Sequence, residues 1–212
     1  MHDIEPQGCS ICSCPDLNWK KHAVEPITGI EFPIVLDSSS TQEKKSSLAP
    51  EILVGTGSRT MKIIKIKSLK VYAFGFYVHP NSLCEKLGWK YASNQVYELD
   101  KRHDFYQDLL SAFEKSLRAR LLKTNPSTDY SCLNAFGSLF TKDIPIPAGT
   151  TVDFRRTADG HLITEIEGNH IGAIQSKELC RAFFDMYIGD VPVSEQAKED
   201  IGKNVASIIR KC

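Results

Sequence analysis

The stretch from Gly55 to Pro80, "GTGSRTMKIIKIKSLKVYAFGFYVHP", constrains the fold most, because it is typical of two long β-strands joined by a short turn. Matching Ile66 with Leu69 and Ile64 with Val71 predicts their antiparallel register. Paired residues share a face. One face would then carry Arg59, Met61, Ile63, Tyr72, Phe74, Phe76 and Val78. Away from the turn both faces are mostly apolar, which predicts that both are covered.

Arg59 is the exception on that apolar face. An arginine keeps its proton, and burying its charge without a partner costs many kcal/mol. The partner could be a protein carboxylate, solvent at the end of the sheet, or an anionic ligand. The predicted register puts Tyr72 about four residues, roughly 13 Å, along the sheet from the residue opposite Arg59. A guanidinium and a phenol that converge over this gap suit a carboxylate, and the apolar surroundings suit a long hydrocarbon tail.

Composition narrows the classes of partner. The 212 residues contain 26 Lys+Arg and 26 Asp+Glu, so the net charge is zero and gives no reason to expect a nucleic-acid partner. No apolar run approaches the roughly 20 residues of a membrane span, so we expect no stable membrane insertion. The acidic start, "MHDIEPQGCSICSC", does not resemble a signal peptide.

The cysteines are odd in number, seven, which favours a reducing compartment over a disulfide framework. Four of them are widely scattered: Cys84, Cys132, Cys180 and Cys212. Cys9, Cys12 and Cys14 are close enough to bind zinc with His22 as a fourth ligand. Because no second cysteine pair exists to complete the site, we favour a mobile tail and predict no metal.

The remaining pattern predicts one α+β domain over residues 22–212, preceded by a flexible leader over residues 1–21. Its strands come as hairpins, with helices grouped between and after them, which predicts an antiparallel sheet with helices on one face. The expected elements are two short strands in Ala23–Leu36 that turn at Thr28-Gly29, a loop over Asp37–Ser47, a short helix over Ser82–Leu87, a helix reaching Phe113, a strand over Phe113–Leu121, a helix over Ser127–Phe140, a hairpin turning at Ala158–Gly160, a strand after Gly168-Asn169, and helices over Ser176–Tyr187 and Glu195–Arg210.

Catalytic signatures are absent from the sequence. "GTG" at Gly55 lacks the third glycine of a dinucleotide fingerprint, and there is no phosphate loop, nucleophile elbow or His-Glu-x-x-His motif. Asp153 could pair with Glu165 or Glu167 across the later hairpin, although solvated charges on a sheet face are the simpler interpretation. We therefore predict no cofactor.

Several segments, in this order and spacing, resemble the chalcone isomerase superfamily, and especially its non-catalytic branch, the plant plastid fatty-acid-binding proteins. They are "TGIEFP", "GTGSRTMKI", "VYAFGFYV", "FYQDLLSAFEKSLR", the start of a helix at Asp129-Tyr130-Ser131, "IPAGTTVDF" and "LCRAFFDMYIGD". The resemblance implies an open-faced β-sandwich, in which a large antiparallel sheet is layered with helices and the ligand lies between them. It also implies residence in the chloroplast stroma.

The resemblance separates binding from catalysis. Arg59 and Tyr130 match chalcone isomerases, but the family's strand threonine, lysine, asparagine and late-helix hydroxyl correspond to Tyr72, Leu121, Gly137 and Met186. It therefore implies a non-catalytic carrier of free fatty acids in which Arg59 and Tyr72 hold the carboxylate. The residues implied for the acyl chain are Met61, Phe74, Phe76, Tyr130, Phe136, Phe183 and Met186. The alternatives are a chalcone isomerase that closes chalcones to flavanones, or a ligand-free helper of flavonoid enzymes. Protein partners stay open.

Overall fold

The structure is a computed structural model. It describes residues 22–36, 50–64, 67–85, 92–98, 105–128, 130–140, 144 and 147–212, with the backbone alone at 61–64, 67–69, 98, 105–110 and 112. The predicted leader, its three cysteines and the predicted loop over Asp37–Ser47 lie outside these residues. The elements in chain order are β1 (His22–Val24), β2 (Glu31–Pro33), β3 (Val35–Leu36), β4 (Glu51–Ile64), β5 (Lys67–Val78), α1 (Pro80–Cys84), β6 (Ala92–Glu98), α2 (Phe105–Thr124), α3 (Ser131–Ser138), β7 (Thr151–Arg156), β8 (His161–Ile166), β9 (Asn169–Gln175), α4 (Lys177–Ile188) and α5 (Glu195–Lys211).

Seven strands form one sheet in the order β3-β4-β5-β6-β7-β8-β9, and every neighbouring pair is antiparallel. Helices α2, α4 and α5 pack on the face that carries Tyr72, Phe74 and Phe76, called the front face below. The α+β class and the layering of helices on a large antiparallel sheet are thereby confirmed.

The back face is covered by the small ribbon of β1 and β2. Phe32 lies so close to Gly75 that a Cβ there would stand 2.6 Å from its ring. The same ring meets Tyr97 edge-on at 5.0 Å, and the Tyr77 hydroxyl donates a hydrogen bond to the Pro33 carbonyl at 2.8 Å. The back face beside this ribbon is therefore covered, as the apolar pattern predicted.

The predicted register of the β4–β5 hairpin is wrong by four residues. Arg59 pairs with Tyr72 itself, not with Phe76, and Ile64 pairs with Lys67. Alternating Ile/Lys and Leu/Lys residues fit either register, and the pairing shifts at three irregularities. At Arg59 the error of four is an even number of residues, so the prediction that Arg59, Tyr72 and Phe76 share a face survives it, whereas from Thr60 to Lys62 the error is five.

The predicted strand over Phe113–Leu121 is also wrong, because α2 continues unbroken to Thr124. Phe113, Leu117 and Leu121 are buried at intervals of four, a spacing that suits a helix and also coincides with the period of two in a strand. The helix leaves Lys115 exposed, whereas the strand would have put it on the apolar side.

Strand β6 was not predicted at all. It lies in the middle of the sheet, and its polar residues Ser93, Asn94 and Gln95 are buried. Polar residues occupy both of its faces, so its sequence shows no strand period and favours a loop.

Other boundaries depend on capping. Helices α4 and α5 begin as predicted, because the hydroxyls of Ser176 and Ser194 accept the backbone N–H of Leu179 at 3.1 Å and of Ala197 at 3.2 Å. Helix α3 begins at Ser131, later than predicted, after a left-handed Tyr130 with φ 58°.

Two turns and a short helix lie at or close to their predicted positions. The turn with Gly160 at φ 93° joins β7 to β8 as predicted, and β9 follows the turn at Gly168. Helix α1 begins at Pro80, two residues before its predicted start, because Pro suits the first helical position. It ends at Cys84.

A disulfide joins Cys84, at the end of α1, to Cys212, after α5. The expectation that the scattered cysteines are unpaired is therefore wrong for these two, which are 128 positions apart in sequence. Cys132 and Cys180 are free thiols, as expected. Among the residues that the structure describes, no group of His, Cys, Asp and Glu could hold a metal ion.

On the back face, Asp153 and Glu165 are direct partners across the β7–β8 pair. The interpretation as solvated charges is wrong for Glu165, which is buried, whereas Glu167 is exposed. Glu165 is buried and forms an ion pair with Arg155 at 2.9 Å. Burial raises the pKa of Asp153 to about 6. The hydrogen bond that Gln95 donates to it lowers this pKa, and the nearby charge of Glu165 raises it further.

We expect Asp153→Asn to stabilise the protein at pH 8 by about 1–3 kcal/mol. A raised pKa means that the folded state holds the proton more tightly than the unfolded chain. The carboxyl's stabilising contribution is therefore complete below its ordinary pKa of 3.8 and is lost as pH rises through about 6. Urea unfolding at pH 8 and pH 4 checks this, with Glu31→Gln, at an exposed acid of β2, as control. Equal effects of Asp153→Asn at both pH values would contradict it.

Candidate functional site

Arg59 stands on β4 at the front face, directly opposite Tyr72. One terminal nitrogen, Nη2, donates to the Ser116 hydroxyl of α2 at 3.2 Å. The other, Nη1, is buried and has no hydrogen-bond partner in the described part of the chain, nor does any carboxylate there form an ion pair with Arg59. In the strand register Glu98 stands on the other side of Tyr72, and its side chain lies outside the description.

Tyr72 is fully buried beside Arg59. Its ring stacks on Phe113 of α2 at 5.4 Å with the planes 4° apart. Its hydroxyl is buried and has no hydrogen-bond partner among the described residues. Two donors with unused capacity, a guanidinium nitrogen and a phenol, therefore lie on one pair of strand residues.

A second arginine, Arg120, lies nearby on α2. Its Nη1 donates to the Ser116 carbonyl at 3.2 Å and its Nη2 to the Val191 carbonyl, and its Nε is 3.7 Å from a carboxylate oxygen of Asp185. Burial lowers the pKa of Arg120, Asp185 opposes that change, and the charge of Arg59 adds to it. Asp185 thus offsets Arg120, while Arg59 keeps an unbalanced charge among the described residues.

Two polar residues of the site, Tyr187 and Asn94, escaped prediction. Both are fully buried, and the Tyr187 hydroxyl and both amide atoms of Asn94 have no completed hydrogen bond to any described residue. Burial holds the pKa of Tyr187 well above its usual range, and Tyr72, Arg59 and Asn94 are close enough to influence it further. Neither carries a sequence signal: Asn94 lies on the unpredicted β6, and Tyr187 fits the apolar side of α4.

Most of the residues predicted for an acyl chain meet in one aromatic cluster. Phe74 lies 4.8 Å from Tyr187, and Phe76 meets Phe184 at 5.7 Å. Phe136 and Phe183 meet at 6.2 Å, and Met186 is fully buried. Further members, which the sequence did not single out, are Phe113, Phe140, Phe154 and Phe184.

Two predicted members of this cluster stand apart from it. The Tyr130 ring lies under the Arg118 guanidinium, 4.5 Å from it, and is only partly buried. The Met61 side chain lies outside the description, and its backbone pairs with Leu69. The roles of both in binding stay predictions.

Phe113 packs directly beside the polar groups of the site. It stacks on Tyr72 on one side and on Phe183, at 5.9 Å and 7°, on the other. Chemically, the arrangement offers a half-buried guanidinium with one buried nitrogen, together with phenol donors, at the end of an apolar aromatic region. It can hold an anion with a hydrocarbon tail if Phe113 gives way.

Two family models match the chain. The one described as chalcone isomerase like covers residues 104–202, and the one described as chalcone-flavanone isomerase covers residues 27–135. The chain belongs to the chalcone isomerase family. Within the described residues of this family member, no helix is both long enough and apolar enough to span a membrane.

The similar curated proteins include fatty-acid-binding proteins and isomerases. Fatty-acid-binding protein 2 of Arabidopsis thaliana is 59% identical over 97% of this chain, and fatty-acid-binding protein 1 of the same plant is 31% identical over 87%. This chain spans 57% of the length of the first and 71% of the second. Chalcone–flavanone isomerase 1B-2 of Glycine max is 27% identical over 70% of this chain and 78% of its own.

A solved structure agrees with the family fold. The crystal structure of an Arabidopsis thaliana fatty-acid-binding protein matches with a TM-score of 0.78 and 28% identity, covering 89% of this chain and 99% of that chain. The match supports the observed arrangement of a curled antiparallel sheet layered with helices.

Proposed function

We propose that this member of the chalcone isomerase family binds free long-chain fatty acids, saturated or unsaturated, without transforming them. Arg59 and Tyr72 hold the carboxylate, and the front-face aromatic cluster accommodates the tail. The observation that carries the proposal is the buried Arg59 Nη1 beside the Tyr72 hydroxyl, both without a partner among the described residues. Arg59 is half-buried, and an anion would pair with its buried nitrogen. A carboxylate would satisfy both groups at once.

The absence of catalysis is part of the same proposal. The positions that the family resemblance assigns to a lysine, an asparagine and a late-helix hydroxyl carry Leu121, Gly137 and Met186. Leu121 and Met186 are buried and apolar, and Gly137 is exposed with open space around it. None of the three can donate a hydrogen bond from a side chain to a polyphenol.

The relatives' names support the ligand class, because two proteins named for fatty-acid binding are 59% and 31% identical to this chain. Residence in the chloroplast stroma and a role in plastid fatty-acid metabolism, as carrier or store, are proposed from the family resemblance alone. Since this chain spans 57% of its 59%-identical relative, these roles belong to the proposal as well.

We expect Arg59→Ala to weaken dodecanoic acid binding by roughly 10–100-fold, because a hydrogen bond to a charged group contributes about 1.5–3 kcal/mol. Native mass spectrometry of the purified protein should show a co-purified acyl species that largely disappears in this variant. Displacement titration then gives the dissociation constants.

The matched control is Arg181→Ala, which removes an exposed arginine of α4. Dodecanol provides a second control, since an alcohol has no charge for Arg59 to neutralise and its binding should change little. Equal acyl occupancy in Arg59→Ala and wild type would contradict the proposal. Stereoselective conversion of a chalcone to a flavanone would favour an isomerase instead.

A further inference from the structure

The Cys84–Cys212 disulfide is accessible to solvent. Both of its residues are exposed, Cys84 at the end of α1 and Cys212 directly after α5. Exposed disulfides are typically the labile or regulatory ones, whereas structural disulfides resist reduction. Of the other described cysteines, Cys180 is buried and its thiol donates to the Gly160 carbonyl at 3.4 Å, and Cys132 is a half-buried free thiol. Among the described cysteines, the exposed pair is therefore the bond that a reductant in solvent can break.

The disulfide fixes the C-terminal half of α5. Beyond Ile201 this helix buries Val205, and the Asn204 amide donates to the Val54 carbonyl at 2.9 Å. Residues 206–212 are all exposed or half-buried. A segment with so little buried surface opens locally at a small cost in free energy. The bond to α1 therefore contributes much of what keeps this end of α5 on the sheet.

The same helix covers the acyl region on β4. The Ile201 side chain lies over Gly55, 2.5 Å from the position of an added Cβ, and Gly55 pairs with Phe76. One turn earlier, Ala197 and the Phe74 ring both lie over the next front-face glycine of β4, at 2.8 and 2.7 Å from an added Cβ. Because glycines have no side chain, α5 itself closes this part of the front face. Separation of α5 at Ile201 would open the acyl region beside Phe76.

We propose that the Cys84–Cys212 bond is a redox switch for ligand exchange. When a dithiol reduces it, the C-terminal half of α5 separates from α1 and β4, and the fatty acid exchanges through the opening beside Phe76. This inference rests on the proposed function, because the tail must lie in the front-face aromatic cluster. Arg59 pairs with Tyr72, four residues along β5 from Phe76, so the opening leaves the head-group contacts in place.

The reaction is a thiol–disulfide exchange with a reductant that carries two thiols. Its first thiolate attacks the sulfur of Cys84 and forms a mixed disulfide, while Cys212 leaves as a thiolate and takes up a proton. Arg210 and Lys211 directly precede Cys212, and their positive charges favour this departure. The reductant's second thiolate then attacks its own sulfur in the mixed disulfide, and Cys84 leaves as a thiol. The protein gains two electrons and two protons, and the reductant becomes a disulfide.

The test measures the dissociation rate of dodecanoic acid from the full chain, oxidised or reduced with dithiothreitol, by stopped-flow displacement. We expect dissociation to be roughly tenfold faster after reduction, which corresponds to a barrier lower by about 1.4 kcal/mol. The dissociation constant should change less than this rate, because the opening speeds entry as well as exit. Hydrogen exchange should become faster in residues 202–211 and stay unchanged in α4.

Three variants serve as comparisons. Cys84→Ser/Cys212→Ser should release dodecanoic acid at the fast rate in both buffers, and Cys132→Ser should respond to reductant like wild type. Phe32→Ala removes a buried ring from the back face, away from α5, and should keep the slow rate when oxidised. Fast release from oxidised Phe32→Ala would overturn the inference, since general destabilisation would then account for the effect.

Equal dissociation rates from oxidised and reduced wild type would also overturn the inference, while leaving the proposed function intact. Global unfolding on reduction, measured by circular dichroism, would overturn it too, because a switch requires a folded reduced state. If dodecanoic acid binds neither the oxidised nor the reduced protein, the proposed function is overturned together with the inference.

Discussion

Replacing Cys84 by Ser is expected to lower the free energy of unfolding by about 2–5 kcal/mol in the absence of reductant. The Cys84–Cys212 disulfide closes a loop over a sequence separation of 128, for which the chain-entropy relation gives about 5 kcal/mol. The loop includes four of the seven strands of the sheet and every helix from α2 to α5, so the bond restricts the unfolded chain severely. It also holds the end of α5 to α1.

Urea unfolding with and without a thiol reductant measures this effect. Wild type should lose stability when reduced, whereas Cys84→Ser should not respond to reductant. Cys132→Ser, which removes a half-buried free thiol, is the matched control and should unfold like wild type in oxidising buffer. A wild type whose urea midpoint is the same in both buffers would contradict the prediction.

The same bond shows where sequence reasoning fails. Spacing alone cannot pair two cysteines that are brought together by the packing of α5 on β4 and α1. In this packing Gly55 leaves room for Ile201, whose side chain would lie 2.5 Å from an added Cβ. Asn204 also fixes α5, by donating to the Val54 carbonyl at 2.9 Å where the β4 register shifts. Neither contact has a local sequence signal.

Local signals succeeded where a short segment determines its own structure. The starts of α4 and α5, where Ser176 and Ser194 cap the helices, and the glycine turn at Gly160 were predicted because each depends on a few adjacent residues. The second half of α2 and strand β6 were not predicted. In α2 a spacing of four residues fits both the helical period and the strand period of two, and β6 is held in the sheet by its pairing with β5 and β7. The competing signals are resolved only by tertiary packing.

The candidate site divides in the same way. Arg59 and Tyr72 could be placed on one face because both belong to one hairpin, and alternation survives an even register error. Tyr187 comes from α4, far away in sequence, and only the fold brings it close to both Tyr72 and Asn94. The unsatisfied donors of the site are therefore visible only in three dimensions.

Phe113→Ala is expected to lower the free energy of unfolding by about 3–5 kcal/mol, the usual range for removing a buried phenylalanine. The ring stacks between Tyr72 and Phe183 and also meets Phe154 at 5.9 Å, so its loss opens a cavity beside the head-group site. If that space is where the tail binds, dodecanoic acid will fill it without displacing a ring. Ligand at 100 times its dissociation constant should then restore about 2.7 kcal/mol.

Phe32→Ala separates this effect from general destabilisation. Phe32 is also fully buried, but it packs against the back face on Gly75 and Tyr97. Both variants should lose comparable stability. Only Phe113→Ala should bind dodecanoic acid more tightly than wild type, because binding to this variant does not require the Phe113 ring to move. Thermal unfolding of the three proteins with increasing ligand measures this difference. Equal ligand-induced shifts in both variants would place the tail away from Phe113, whereas a larger shift in Phe113→Ala identifies this ring as the group that occupies the acyl space before ligand binds.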